Sequence, residues 1–361
     1  MRRYTIWLYC TTLVFALLVL PKGRTLADEV AIVALNGSGQ VAFIDIENEE
    51  VIKTIALNVP YPHFVETTPD ANTAVVVCDG GHICFVDVAT MECVTVLELL
   101  WGPEQHGITL QPNEFQGLCI TPESLALVTE ANERGQLFFI DTRTMEVAGD
   151  PWYVSGEPES IISTSDGSRA YYVDEGSIYY VDTLLWPAVS YGMHYYQPTG
   201  SDEIGGLDLI PNDESRALLC DCDNRIFLIH IGARVILDQQ QVDRERFTEP
   251  SSLKVSPAGT MAIVANSTDP SITFVAIEGN TLAVEETLEV GGPADCVAFT
   301  QDGQTAVVTI PRTSEVKIID VPGRQVRATI KEELGLAPLG VTITARPAEP
   351  VPNETSETDL K

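Results

Sequence analysis

One segment recurs along the whole chain, and its spacing constrains the fold before any chemistry is considered. A predominantly apolar run opening on alanine stands at Ala31 (AIVAL), Ala74 (AVVVC), Ala126 (ALVTE), Ala170 (AYYVD), Ala217 (ALLCD), Ala262 (AIVAN) and Ala306 (AVVTI). Successive alanines lie 43, 52, 44, 47, 45 and 44 residues apart. Each run is followed by a second apolar segment that closes on Asp45, Asp87, Asp141, Asp182 or Asp320, with His230 and Ala276 at that position in two degenerate copies. A further strand precedes each alanine, and another follows the Asp. Four short strands of period-two patterning joined by tight turns, repeated every ~45 residues, are the unit of a β-propeller. Seven copies predict an all-β, seven-bladed β-propeller of four-stranded blades.

The two ends of the repeat complement each other. The first unit begins at Ala31 with no strand before it, whereas the last is followed by an orphan strand, PLGVTITA from Pro338. A C-terminal strand completing the N-terminal blade would close the ring and leave no free edge between first and last blades. The propeller is accordingly expected over residues 28–346. Ahead of it, MRR precedes the apolar run TIWLYCTTLVFALLVL and then PKGRTLA. A basic, an apolar and a small-residue segment in that order predict a signal peptide over residues 1–27. An uncleaved anchor is the alternative, and only then is a membrane a partner. Residues 347–361 (PAEPVPNETSETDLK, counting from Pro347) are acidic and Pro-rich, and are expected to be disordered.

Charge excludes two classes of partner. The chain carries 21 Lys and Arg against 52 Asp and Glu. Without the four basic residues of the leader, 17 − 52 gives −35. Such a surface repels nucleic acid and anionic lipid. It suits a periplasmic, extracellular or cell-surface setting, and the chain is expected there as a monomer.

The stretches GGPADCVAFTQDGQTAVVTIPRTSEVKIIDVPGRQVRATI and TEPSSLKVSPAGTMAIVANSTDPSITFVAI resemble the YVTN-type seven-bladed propellers of secreted and surface-layer proteins. The resemblance spans nearly all of the chain beyond the leader. It rests on the Pro-x-Gly turn, the apolar-Asp segment and the strand order; the Tyr-Val-Thr-Asn signature is nowhere intact, YYVDE, AIVANS and ALVTEAN being the nearest approaches. It implies architecture, with two functional classes. One is a binding or scaffold module that takes a protein, glycan or small molecule on its top-face loops. The other is an enzyme, analogous to the lactonase group or to propeller subunits associated with periplasmic dehydrogenases.

No haem, nucleotide, nucleophile-elbow or zinc-helix motif is present, so no motif requires a cofactor. The repeat still places particular residues. In a propeller, the loops entering inner strands and those joining second to third strands share one face. That puts His63, Gln116, Glu159, Ser251 and Asp295 around one channel mouth as ligand-binding candidates. His82, in an expected second-to-third strand loop, and His106, in a long interblade insertion, join His63 as a candidate divalent-metal set, because imidazole with carboxylate suits such ions. The aromatic-rich insertions contribute Trp101 and Tyr191 as recognition candidates. Seven cysteines follow the leader, and the turn between Cys78 and Cys84 is expected to set those two side chains opposite each other for a cross-strand disulfide. Asn36, Asn266 and Asn353 each open a glycosylation sequon.

Overall fold

The computed structural model describes residues 29–99, 114–131, 135–154, 156–174, 176–184, 200, 204–243 and 248–346. Seven antiparallel sheets surround a central channel. Their innermost strands are Pro338–Ala345, Pro62–Thr67, Phe115–Ile120, Ile161–Ser163, Ile204–Leu209, Pro250–Val255 and Val297–Phe299, for blades 1 to 7. Five blades have four strands in simple up-and-down order. In blade 3 the outer strand is split into Glu146–Val147 and Trp152–Tyr153, both paired with Gln136–Asp141. Blade 4 has three strands among the described residues.

The ring closes as the orphan strand predicts. Glu29–Leu35 pairs on one side with Gln40–Asp45 and on the other with Pro338–Ala345, in a register running from Glu29 opposite Ala345 to Val33 opposite Val341. Residues about 310 apart in sequence thus share one sheet, a separation whose chain-closure cost grows only slowly with length.

Second strands are buried on both faces because each is central in its sheet and each sheet is covered by two neighbours. Ala31, Ala74, Ala170, Ala217, Ala262 and Ala306 are all fully buried. Seven apolar clusters result, one between every pair of adjacent blades, including blade 7 with blade 1 through Ile318, Val316, Val33 and Val341. A large side chain such as Phe43 or Phe274 in these layers is worth about 1.5–3 kcal/mol relative to exposure. The recurring Asp of the repeat has a local task. Asp45, Asp87 and Asp320 each accept the backbone N–H three residues on, from Asn48, Thr90 and Gly323, and so close the turn into the outer strand. His230 does the same through Nδ1, which accepts from the Ala233 N–H at 3.2 Å.

Two expectations are corrected by register. Cys78 stands opposite His82, and Cys84 opposite Val76. The hairpin is centred on Gly80, one residue earlier than a Cys78–Cys84 pairing demands, so the two thiols sit on a diagonal. Their sulfurs are 4.0 Å apart, and both cysteines are free. By the same register His82 is the first residue of a strand rather than part of a loop. Asn266 is fully buried, its amide donating to Ser271 and Thr273, so its sequon is closed to a glycan in the folded protein. The leader, the tail, Trp101, His106 and Tyr191 lie outside the described residues.

Candidate functional site

Every blade makes the same irregularity where its inner strand begins. In blade 2 the pairing jumps from Pro62 opposite Cys78 to Phe64 opposite Val77, leaving His63 as the extra residue. Blades 3, 5 and 6 shift identically, and the extra residues are Gln116, Gly205 and Ser251. In blade 4, Glu159 donates its N–H to the Val173 carbonyl while the Val173 N–H goes to Ser160, so both residues face one partner. In blade 7, Asp295 and Cys296 share Thr309 in the same way. Blade 1 supplies Leu339, between Pro338 opposite Leu35 and Val341 opposite Val33. A bulge bends its strand and re-aims one side chain. Proline at the strand's first position, as in Pro62, Pro250 and Pro338, gives up a ladder donor and suits this place.

The bulges bring all five predicted mouth residues together. His63, Gln116, Glu159, Ser251 and Asp295 line one cavity of about 280 Å³ at the start of the channel. Glycine at the bulge or beside it lets neighbouring inner strands approach. A Cβ on Gly205 would come within 2.1 Å of the Pro250 carbonyl oxygen, and one on Gly340 within 2.5 Å of the His63 carbonyl oxygen.

The mouth is polar and incompletely paired. The Ser251 hydroxyl is buried without a hydrogen-bond partner. The His63 ring stacks on Phe64 at 4.2 Å, and its Nδ1 lies 3.9 Å from Oδ1 of Asp79, an oxygen that is itself buried without a hydrogen bond. Burial raises the Asp295 carboxyl above the ordinary carboxylate range, partly offset by the charge of His63. Cys296 is pushed up to about 11, first by burial and then by Asp295. An imidazole flanked by one carboxylate and facing another of raised proton affinity can move a proton or orient a polar ligand.

His82 does not line this cavity, and its Nδ1 is buried without a partner. Among the described residues no three His, Cys, Asp or Glu side chains converge on one point suited to a metal ion. Phe64, which lines the cavity, and Asp79, which lies behind His63 without lining it, are not legible from the repeat, since neither occupies the inner-strand entrance position. The hairpin turn at Asp79-Gly80-Gly81 was the one available signal for Asp79.

These features define a seven-bladed β-propeller with a polar channel mouth. No protein-family model matches the sequence, and no curated protein matches it. Solved structures do match in fold. A functionally unknown protein from Desulfotomaculum acetoxidans superposes with a TM-score of 0.72 at 12% identity, covering 88% of this chain and 99% of its own. A putative 6-phosphogluconolactonase from Bacteroides uniformis gives 0.71 at 13%, covering 88% and 100%. The periplasmic gluconolactonase of Pseudomonas aeruginosa gives 0.69 at 16%, covering 88% and 99%. At such identities the likeness concerns architecture.

Proposed function

We propose that this chain is an exported propeller of the YVTN type that binds a small, hydroxyl-rich molecule at its channel mouth. The observation that carries the reading is the bulge ring, which aims imidazole, amide, carboxylate and hydroxyl groups into one cavity and leaves the Ser251 hydroxyl buried and unsatisfied. A buried hydroxyl without a partner costs on the order of 1–3 kcal/mol, and a bound polar ligand recovers it. Few polar groups converging in a concave site are what orients such ligands. Export is supported by the leader-like residues 1–27 and the acid-rich composition.

A second reading is lactone hydrolysis. It is favoured by the His63 and Asp79 juxtaposition and by the periplasmic gluconolactonase and the putative 6-phosphogluconolactonase among the fold neighbours.

The experiment uses protein recovered from an extracytoplasmic fraction, where a mature sequence starting at or near Asp28 would establish export. Ligand-observed NMR with neutral monosaccharides, polyols and glucono-1,5-lactone should show saturable binding that the His63→Ala/Glu159→Ala double variant loses. Acid release from the lactone, abolished in the same variant, would favour the hydrolase instead. Wild-type protein that binds none of these probes would overturn both.

A further inference from the structure

Below the mouth, the channel widens into a second cavity of about 470 Å³ that the mouth residues do not explain. Its wall mixes polar and apolar surface, with Val65, Leu118, Ile161, Leu253 and Val341 among the apolar contributors. Opposed charges are set into that wall. Lys254 comes from the inner strand of blade 6, Asp208 from blade 5 and Glu66 from blade 2.

Asp208 is already satisfied. Its Oδ2 accepts the Val255 N–H at 2.8 Å, and its Oδ1 accepts the Leu209 N–H at 3.1 Å and lies 3.5 Å from Lys254 Nζ. Lys254 is different. Its side chain is 41% accessible although it sits deep in the ring, so what it exposes is channel surface, and Asp208 is its single carboxylate contact among the described residues. Two ammonium donors are left for the cavity. Glu66 accepts one hydrogen bond, from the Thr342 hydroxyl to Oε2 at 3.0 Å, and its other oxygen takes none among the described residues. Glu66 and Lys254 feel each other's charge yet make no direct ion pair, so a gap separates them.

An ammonium and a carboxylate lining one cavity without pairing directly complement a molecule that carries the same two charges in reverse. We propose that this lower cavity binds a small zwitterion, its carboxylate on Lys254 and its ammonium on Glu66. A simple anion would meet Glu66 and Asp208 as well as Lys254, and a simple cation would meet Lys254. A zwitterion answers both groups at once: its ammonium compensates Glu66, which has no cationic contact among the described residues, and its carboxylate takes the Lys254 donors that Asp208 leaves free. The volume admits an amino acid together with several waters. This site stands independently of the mouth, which uses none of these three residues.

Calorimetric titration of the whole protein with glycine, 3-aminopropanoate and 4-aminobutanoate, each a longer separation of the two charges, should give saturable binding for at least one. Acetate should give none, and methylammonium, which answers Glu66 alone, should bind more weakly than the best zwitterion. Glu66→Gln keeps the side-chain shape and the bond from Thr342 and should weaken the best zwitterion at least about tenfold, the loss expected for one charge-assisted pair. Lys254→Met should do the same, and if that variant does not fold, Glu66→Gln decides alone. The His63→Ala/Glu159→Ala protein should keep its zwitterion affinity, which separates this site from the mouth. Wild-type protein blind to all three zwitterions, or equal affinity in wild type and Glu66→Gln, would show that Lys254 and Glu66 merely line the channel and would overturn the proposal.

Discussion

Glu315 shows how single ion pairs are used on a surface so rich in acid. Its carboxylate meets Lys317 Nζ at 2.8 Å and Lys331 Nζ at 3.1 Å. Hydrogen bonding to Lys317, and then to Lys331, holds its pKa at about 2, below the ordinary 4.5. A carboxyl with a depressed folded-state pKa stabilises the fold above its unfolded value and loses that contribution as pH falls through the folded one. Glu315→Gln is therefore expected to cost roughly 1 kcal/mol at neutral pH, in the range of partly exposed pairs. The difference between variant and wild type should shrink between pH 4.5 and pH 2. Thermal melts across that window check it, and a difference independent of pH would contradict the pairing. Asp295 has the opposite sign. Its raised pKa favours the protonated carboxyl, so its contribution is present in acid and lost as pH rises.

At the scale of a strand, the inner-strand bulge does the positioning. It converts seven equivalent backbone sites into one ring, while the side chain at each site differs: Leu339, His63, Gln116, Glu159, Gly205, Ser251 and Asp295. Gly340 shows how tightly adjacent inner strands approach. An added methyl would lie 2.5 Å from the His63 carbonyl oxygen and 3.0 Å from Phe64 Cα, and backbone atoms cannot swing aside as a flexible side chain can. Gly340→Ala is expected to destabilise by about 1–3 kcal/mol, as overpacking does, and to shift His63. Chemical denaturation measures the first effect, and loss of mouth ligand the second. Unchanged stability would mean that blades 1 and 2 can separate freely here.

For the molecule as a whole, closure of the ring depends on one strand supplied from the far end of the chain. Without Pro338–Ala345, the Glu29–Leu35 strand loses its partner on the channel side and the cluster between blades 7 and 1 loses Val341. Deletion of residues 338–346 should abolish cooperative unfolding, whereas truncation after Arg346 should leave the melting curve unchanged. A protein lacking 338–346 that melts like its parent would refute the closure.

The sequence by itself determined blade number, strand order and ring closure. Those follow from local patterning that recurs: an alanine-led strand buried on both faces, an Asp that closes a turn, and an unpaired strand at the end. It also placed His63, Gln116, Glu159, Ser251 and Asp295 at one level, because a residue's position within a repeat is its height along the channel. Tertiary structure alone decided what depends on register and on neighbours across the ring. Cys78 and Cys84 fall on a diagonal because the hairpin centre differs by one residue from the symmetric one. Asp79 reaches His63 from a turn that looks like any other. Glu66, Asp208 and Lys254, each an isolated charge in an apolar strand when read along the chain, share one cavity because seven inner strands curve around a common axis, a relation that no sequence distance encodes.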